Sequence, residues 1–398
     1  MELRDFLGKE KVQMKILFCR FGGLGENAIL RAFKRMSYQV IEFSKKAENY
    51  DYDQEYMNAL IDQMQQVQCD VVFSINFLPL ISKTSKVFRM LYISWIYDCP
   101  ELHLYSSAVQ NENNRIFLFD QVQYAMFSPL NPEGVFYMPL ASEPMEQFPT
   151  EEEQDRYASD ICFIGSLYNE KKKRFHQMKE LPEYLRGYAE GLCQAQLNVF
   201  GYNFIRDTLS DDMVKEFKKH LDWKLIDDYI EDDKGILADM YLGPYCSALD
   251  RKRTLQELSS QWKITLYTDS DTSELVSVDN RGVADSETMM PKIFHCSKIN
   301  LNITSKTIQT GLPLRIFDVL ANKGFLITNY QAEIMEYFEP GVDLVVYESI
   351  ADLKEKISYY LQHDEERRQI AEHGYEKVKQ YYTYDIMLNN MFEMCGLV

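Results

Sequence analysis

A cation and a carboxylate share the first turn of a predicted helix in segment 299–328, INLNITSKTIQTGLPLRIFDVLANKGFLIT. Its apolar start predicts a strand, a loop with Gly311 and Pro313 follows, and helical periodicity begins directly afterwards. N–H groups at such a helix start attract phosphate, and Arg315 adds a cation that can fork onto phosphate oxygens. Asp318 lies one turn further on the same face, where a carboxylate can accept both hydroxyls of a ribose. The segment predicts a nucleoside diphosphate site, and a capped core helix is the alternative interpretation.

Four more positions belong to this predicted nucleotide site. Asn302 lies in the strand of the segment, and Thr310 directly precedes its glycine. Gly165 and Ser166 close another strand, ICFI, where the N–H groups of a turn can hold a diphosphate. The basic run KKKR at 171–174 follows, but such a run is more often a solvated helix face, so no single cation in it is assigned.

Three residues near the ends of predicted strands are candidate bases. Asp98 is followed by Cys-Pro, which disfavours a helix and leaves its carboxylate in a loop at the edge where open α/β sheets bind ligands. A transferase that uses an alcohol as nucleophile needs such a proton acceptor. Capping of the following turn is the alternative role for Asp98. His103 is a weaker candidate for the catalytic base, and Asp120, at the end of the run FLF, is a third.

A glycine loop, FGGLGENA, connects the first predicted strand to the first predicted helix. Gly23 and Gly25 fit the pattern G-x-G-x-x-A, and Glu42 ends the second strand about twenty residues further on, as in dinucleotide-binding folds. A tight strand-to-helix turn requires glycine for its own reasons. A loop that lines a cleft, with Gly22, Gly23 and Gly25 at its surface, is the third interpretation. NAD(P) binding, a structural turn and a cleft loop therefore all remain open.

Short apolar runs alternate with helical periodicity along the chain, which predicts parallel sheets covered by helices. Strands are predicted at 14–19, 38–43, 71–75, 90–96, 116–119, 124–127, 135–138, 161–164, 263–267, 299–303, 324–328 and 344–347, and helices include 213–226, 253–260, 350–361, 364–382 and 385–395. The fold class is therefore α/β, with two consecutive Rossmann-like, doubly wound domains of similar size.

We predict a first domain over 1–150 and a second over 151–380, joined by a polar linker at 145–157. The second domain carries a helical insertion at about 170–261. A C-terminal helix within 381–398 is expected to pack back on the first domain.

The composition restricts the partners. The formal net charge is −18, whereas nucleic acids and anionic membranes require a basic face, so neither is expected as a partner. The eight cysteines are scattered without a C-x-x-C pair, which is typical of reduced thiols. No stretch reaches the roughly 18 apolar residues of a membrane span, and the acidic runs lack metal-ligand spacing. We predict a soluble, cytoplasmic protein without a metal site.

These segments resemble the C-terminal half of GT-B glycosyltransferases of the group 1 type, and most closely the CgeB-like bacterial family. The resemblance is carried by MPKIF at 290–294, SKINLNIT at 297–304, GLPLRIFD at 311–318 and GFLITNY at 324–330. WIYD at 95–98 and parts of 359–374 are also similar, although the specific pattern is confined to about 285–375.

The resemblance implies a UDP-, GDP- or dTDP-sugar held by the second domain, an acceptor on the first, and reaction in the cleft. It also implies no obligatory metal, because helix dipoles and cations stabilise the leaving diphosphate. Many retaining enzymes of this type carry two glutamates eight positions apart, where this chain has Thr310 and Asp318. A ribose contact is therefore expected from Asp318, whereas Thr310 leaves the sugar contact and the stereochemical course open.

Three functions remain as hypotheses. The first is transfer of a sugar to an unidentified hydroxyl or other nucleophile on a protein, polysaccharide or small molecule. The second is an NAD(P)-dependent oxidoreductase that uses the glycine loop and Glu42. The third is a non-catalytic relative that binds nucleotide without turnover, which the departure at Thr310 favours.

Overall fold

The computed structural model describes residues 14–169, 175–223, 228–230 and 232–398, with the backbone alone at 175 and 176. Its described strands form two six-stranded parallel sheets. The first contains β1 (Lys15–Cys19), β2 (Gln39–Phe43), β3 (Val71–Ile75), β4 (Leu91–Trp95), β5 (Asn114–Leu118) and β6 (Val135–Tyr137). The second contains β7 (Ser159–Ile164), β8 (Ile264–Tyr267), β9 (Val278–Asn280), β10 (Ser297–Asn302), β11 (Leu326–Asn329) and β12 (Val345–Tyr347).

Helices cover both sheets. The first domain contains α1 (Glu26–Arg35), α2 (Gln54–Val67), α3 (Pro79–Val87) and α4 (Gln121–Phe127). The remaining helices are α5 (Glu151–Tyr157), α6 (Phe175–Lys179), α7 (Glu183–Gln196), α8 (Ile205–Thr208), α9 (Asp211–Lys218), α10 (Asp233–Ile236), α11 (Gly243–Ser259), α12 (Met290–Cys296), α13 (Leu314–Ala321), α14 (Ile334–Tyr337), α15 (Ile350–Tyr360), α16 (Asp364–Tyr381) and α17 (Tyr384–Met394). A π-helical turn, Leu237–Leu242, joins α10 to α11.

The strand orders are β2-β1-β3-β4-β5-β6 and β12-β11-β10-β7-β8-β9. The position of a strand in its sheet determines how far it is buried. The central strand β3 is buried along its whole length, whereas the edge strand β2 is mostly exposed or half-buried. The order reverses between β1 and β3 in the first sheet and between β7 and β10 in the second. Open α/β sheets bind ligands at the carboxyl ends of the strands beside such reversals. Two Rossmann-like, doubly wound sheets are therefore confirmed.

Several predicted elements differ in the structure. The predicted strand 124–127 is wrong, because these residues form the end of α4, whose start is capped by the Asp120 side chain. The helix predicted at 213–226 begins at Asp211 and ends at Lys218. Half of the predicted linker is α5, which a capping box between Thr150 and Glu153 starts. The basic run 171–174 lies outside the described residues.

Two segments of the chain pack across the domain division. The ring of Phe392 on α17 stacks on Phe33 of α1 with centroids 5.9 Å apart, and Asp385 pairs with Arg35 at 2.6 Å. The helices between β7 and β8 reach the first domain, where Tyr105 donates to Asp239 at 3.2 Å. The proposed boundary at 150/151 falls in the connection between β6 and β7 and stays a prediction. Within the described ranges, no helix combines the length and hydropathy needed to cross a membrane.

Candidate functional site

The carboxyl ends of the two sheets face each other across a narrow cleft. The Cys99 thiol, just after β4, donates to the carbonyl of Thr307 at 3.1 Å. Thr307 lies in the loop that follows β10, and its hydroxyl donates to the carbonyl of Cys99. The loops that could bind ligands in both domains are therefore in contact, which closes the cleft at this point.

A cavity of about 120 Å³ opens between the halves beside the start of α13. Leu314 and Asp318 line it from the second domain, and Leu24 and Gly25 line it from the glycine loop. Ser142 completes this wall and donates to Asp318 Oδ1 at 3.0 Å. The predicted helix start thus borders an interdomain cavity, and of the predicted cleft-loop glycines Gly25 reaches it.

Arg315 is turned along α13. Its guanidinium lies 3.5 Å from Asp318 Oδ2 and 5.0 Å from the centre of the Phe294 ring. Burial lowers the pKa of Arg315 and raises that of Asp318, while the attraction between the two groups opposes both shifts. The cation and the carboxylate therefore form a pair whose carboxylate side faces the cavity.

Asp120 fastens the loop after β10 to the first domain. Its Oδ1 caps α4 by accepting the N–H of Gln123 at 2.9 Å. Its Oδ2 accepts three consecutive N–H groups, from Gln309 at 2.8 Å, Thr310 at 2.9 Å and Gly311 at 3.0 Å. Convergent backbone N–H groups of this kind form an anion-binding nest, and a carboxylate of the opposite domain occupies it here. The predicted candidate base is thus engaged on both oxygens.

Gly311 has a steric reason to lack a side chain. A Cβ atom at this position would lie 2.4 Å from the carbonyl oxygen of Phe119 and 2.9 Å from Cα of Asp120. Real Cβ atoms do not approach backbone so closely, so the closed contact between the domains requires glycine here. The sequence placed Gly311 in the predicted nucleotide site, and the structure shows that it approaches the first domain closely.

A carboxylate also lies beside Thr310, but it comes from the turn after β11. Glu333 Oε1 accepts the Thr310 hydroxyl at 2.5 Å and the N–H of Gln121 at 2.8 Å, and Tyr137 donates to the same carboxylate. Burial raises the pKa of Glu333, and these donors partly oppose the shift. Sequence reasoning missed Glu333, since its distance in sequence from Thr310 hides their contact.

Arg251 holds the reversal point of the second sheet together. This buried side chain on α11 donates to the carbonyl of Ile303 from Nε at 3.1 Å and from Nη2 at 2.8 Å, and to the carbonyl of Ser166. Its guanidinium also stacks over Tyr168 at 4.5 Å. The predicted pair Gly165 and Ser166 therefore lies beside a fixed cation that sequence reasoning did not single out.

A second buried cation, Lys306, fixes the loop that follows β10 just beyond Ile303. Lys306 pairs with Asp250 of α11 at 3.1 Å, and both side chains are less than a tenth exposed. The backbone N–H of Lys306 donates to Ser247 on the same helix at 2.8 Å. The predicted residue Asn302 is buried in the strand below, where its amide donates to Thr304 and Thr328 at 2.9 Å each. Asn302 thus orders the start of this loop from within.

The glycine loop of the first domain is closed by its own helix. Glu26 accepts the N–H of Phe21 at 2.7 Å and that of Gly22 at 3.1 Å, and it pairs with Arg20 at 3.2 Å. Arg20 also pairs with Glu42, the acidic residue on which the dinucleotide interpretation depends. A pyrophosphate would have to displace Glu26 from these N–H groups. The structure therefore favours the structural turn, with Gly25 facing the cleft, over NAD(P) binding.

Asp98 and His103 lie at the carboxyl edge of the first sheet. Asp98 is exposed and accepts the side-chain amide of Asn76 at 2.7 Å, while Asn76 Oδ1 accepts the N–H of Asp98 at 3.1 Å. His103 is mostly buried and its Nδ1 lies 2.6 Å from Glu101. Burial alone would lower the pKa of His103, but the hydrogen bond and charge of Glu101 raise it. Asp98 is therefore the more accessible of the two predicted bases.

Among the described residues, no group of three or more His, Cys, Asp or Glu side chains is arranged to hold a metal ion.

Residues 251–393, which include Arg251, the β10 loop and α13, match the sequence profile of the glycosyl transferase-like family. No curated protein shows significant sequence similarity to the chain.

Solved structures resemble nearly the whole chain. Anabaena Alr3699/HepE, in complex with UDP and glucose, shares 10% identity at a TM-score of 0.54 over 97% of this chain and 100% of its own. A glycosyltransferase from Rickettsia africae shares 10% identity at a TM-score of 0.52, again over 97% of this chain and 100% of its own. Sucrose-phosphate synthase from Thermosynechococcus elongatus shares 8% sequence identity at a TM-score of 0.55, over 96% of this chain and 98% of its own. The chain thus has the two-domain GT-B fold, and its C-terminal part matches the glycosyl transferase-like family.

Proposed function

We propose that this protein is a glycosyltransferase that moves a sugar from a nucleotide donor to an acceptor bound on the first domain. The observation that carries the proposal is the start of α13, where Asp318 lines a cavity between the halves of a GT-B fold. The family match over 251–393 supports it, as do the UDP and UDP-glucose complexes of Anabaena HepE. Assignment to the CgeB-like bacterial group is part of the proposal and rests on the sequence resemblance.

The donor is proposed to lie along the carboxyl edge of the second sheet. Asp318 accepts the ribose hydroxyls, and the start of α13 faces the diphosphate. The N–H groups of 309–311 join this site when the domains open and Asp120 releases them. Arg315 and Arg251 supply fixed positive charge on either side of that loop. Gly165 and Ser166 are proposed to add the N–H groups of their turn to the diphosphate site, and Asn302 and Thr310 support the loop. No obligatory metal enters this proposal.

The reaction requires one proton acceptor and a stabilised leaving group. The acceptor oxygen bonds to the anomeric carbon, the bond from that carbon to the diphosphate breaks, and the hydroxyl proton passes to a basic side chain. We assign this last role to Asp98, with His103 as the weaker candidate. The free thiols of all eight cysteines support a reducing compartment such as the cytoplasm.

Nucleotide binding tests the donor site. We expect UDP, GDP or dTDP to bind in isothermal titration calorimetry. Asp318→Asn should lower the affinity for the nucleotide that binds about 10- to 100-fold, because charged hydrogen bonds are lost. Asp364→Asn is the matched control, since Asp364 also pairs with an arginine three positions away but lies on α16. Equal affinity of the Asp318→Asn and Asp364→Asn proteins would contradict the placement.

Turnover separates the transferase from a non-catalytic nucleotide-binding relative. We expect slow hydrolysis of a matching nucleotide sugar without acceptor, and loss of this activity in Asp98→Asn with unchanged nucleotide affinity. Nucleotide binding without hydrolysis or transfer from any donor would favour the non-catalytic relative.

A further inference from the structure

The carboxyl edge of the first sheet is divided into two parts. The ends of β4, β5 and β6 carry Cys99, Asp120 and Tyr137, whose contacts with the second domain close the cleft there. The loops after β1 and β2 instead carry aromatic rings. Phe21 follows β1, and Tyr50 lies in the longer loop after β2.

These rings form a connected patch with one exposed member. Phe21 meets Tyr50 edge to face with centroids 5.5 Å apart, and Tyr50 meets His103 edge to face at 5.9 Å. Phe21 also stacks on the fully buried Tyr56 at 6.0 Å, which anchors the patch in the core. Tyr50 is 37% exposed, so part of its ring is available to a ligand. Rings held in this way form a rigid stacking surface for the apolar face of a sugar.

The patch is fixed in place by polar contacts beneath it. The Tyr50 carbonyl accepts the N–H of Leu80 at the start of α3, at 3.4 Å. Glu101 holds His103 twice, through the backbone N–H at 3.0 Å and the ring nitrogen at 2.6 Å. Preorganised contacts reduce the entropy lost when a ligand binds.

Carboxylates outnumber basic groups by three to two beside Tyr50 and His103. Asp51 adjoins Tyr50, and its carboxylate accepts the hydroxyl of Tyr229 at 3.4 Å. Asp228 and Glu101 are also present, with Lys83 and His103 as their respective cationic partners. Carboxylates accept hydrogen bonds from sugar hydroxyls and ammonium groups but repel phosphates and uronates.

The patch also lies next to the proposed reaction site. Phe21 and the cavity-lining Leu24 and Gly25 belong to one short loop. Asp98 follows β4, and only β3 lies between β4 and β1 in the sheet. The loop that carries Asp98 is therefore two strands away from the loop that carries Phe21. A ring stacked on Tyr50 would therefore lie one loop away from the cavity that Asp318 lines.

We infer that Phe21, Tyr50 and His103 form the acceptor subsite, and that it takes a neutral or amino-substituted saccharide and rejects anionic ones. The inference rests on the proposed glycosyltransferase function and adds the acceptor class to it. It explains the exposed ring of Tyr50, which neither donor binding nor core packing requires.

Saccharide binding tests the subsite directly. Saturation-transfer NMR on the full chain with saturating UDP would compare neutral disaccharides such as cellobiose and maltose, a glucosamine dimer and a galacturonate dimer. We expect the neutral or amino sugars to bind and the uronate to fail. Tyr50→Ala should weaken binding about tenfold, whereas Tyr50→Phe, which keeps the ring, should retain most of it.

Tyr52→Ala is the matched control. Tyr52 lies on the same loop, is 60% exposed and donates to Gln54 at 2.7 Å, so its loss should leave saccharide binding unchanged. Preferential binding of the uronate, no binding of any neutral or amino sugar, or equal effects of Tyr50→Ala and Tyr52→Ala would each overturn the inference. UDP calorimetry on the same samples reports the donor site separately, so failure of the proposed function is distinguishable from failure of the acceptor subsite.

Discussion

The three N–H groups bound by Asp120 make a quantitative prediction about how the two domains hold together. Asp120→Ser removes Oδ2, the oxygen that accepts Gln309, Thr310 and Gly311. Serine is as good a helix cap as aspartate, so the start of α4 should survive the change. The substitution therefore removes the contact across the cleft while sparing the cap.

The size of the effect follows from the burial of the contact. Asp120 is fully buried and Gly311 is buried, whereas Gln309 and Thr310 are half-buried, so the three N–H groups lose their acceptor where water has limited access. A buried donor without a partner costs about 1–3 kcal/mol. Because the domains can separate slightly and admit water, we take the lower value for each and expect a loss of about 3 kcal/mol in the free energy of unfolding. That corresponds to a decrease of roughly 4 °C in Tm.

Differential scanning fluorimetry and small-angle X-ray scattering would measure the two consequences, lower stability and a larger radius of gyration. Asp53→Ser is the matched control, because Asp53 caps α2 at 2.9 Å within the first domain. It should change stability by no more than about 1 kcal/mol and leave the radius unchanged. If Asp120→Ser lost no more stability than Asp53→Ser, the reasoning that this carboxylate fastens the domains together would be refuted.

Two further predictions concern burial and close packing. Burial raises the pKa of Asp239 to about 7, so the folded state favours the protonated acid. Stability should therefore fall as pH rises from about 4 to 7, by at most about 4 kcal/mol, and thermal melts should show that Asp239→Asn removes this dependence. Gly311→Ala should lower Tm by several degrees, because its Cβ would meet the Phe119 carbonyl, costing about 1–3 kcal/mol. Gly187 lies on α7, and a Cβ atom added there would have no neighbour within 4 Å, so Gly187→Ala should be neutral or stabilising.

Periodicity predicted the fold well because both sheets are parallel and buried, so their central strands read as apolar runs. It failed at 124–127, where a four-residue apolar run fits a strand and a buried helix end equally. The signal that could have corrected it is Asp120 followed three positions later by Gln123, which resembles a helix capping box.

The candidate site was predicted only where its parts are close in sequence. Arg315 and Asp318 share one helical turn, so their spacing alone placed them together. Glu333 lies beside Thr310 because β11 pairs with β10, and a contact of that kind leaves no spacing rule in the sequence. Arg251 has cationic neighbours in Lys252 and Arg253, and only tertiary packing distinguishes the buried member.

Among the described residues, the N–H groups of Phe21 and Gly22 and those of 309–311 are each occupied by a carboxylate of the protein itself, and these two clusters differ in how they can be vacated. Glu26 belongs to the helix that the glycine loop itself starts, so no movement of one domain against the other exposes the N–H groups of Phe21 and Gly22. Asp120 reaches its N–H groups from the opposite domain, so separation of the domains releases all three together. A phosphate can therefore gain the second cluster by rigid-body opening, whereas it gains the first only by rebuilding the loop. This difference favours a nucleotide on the second domain over a dinucleotide on the first.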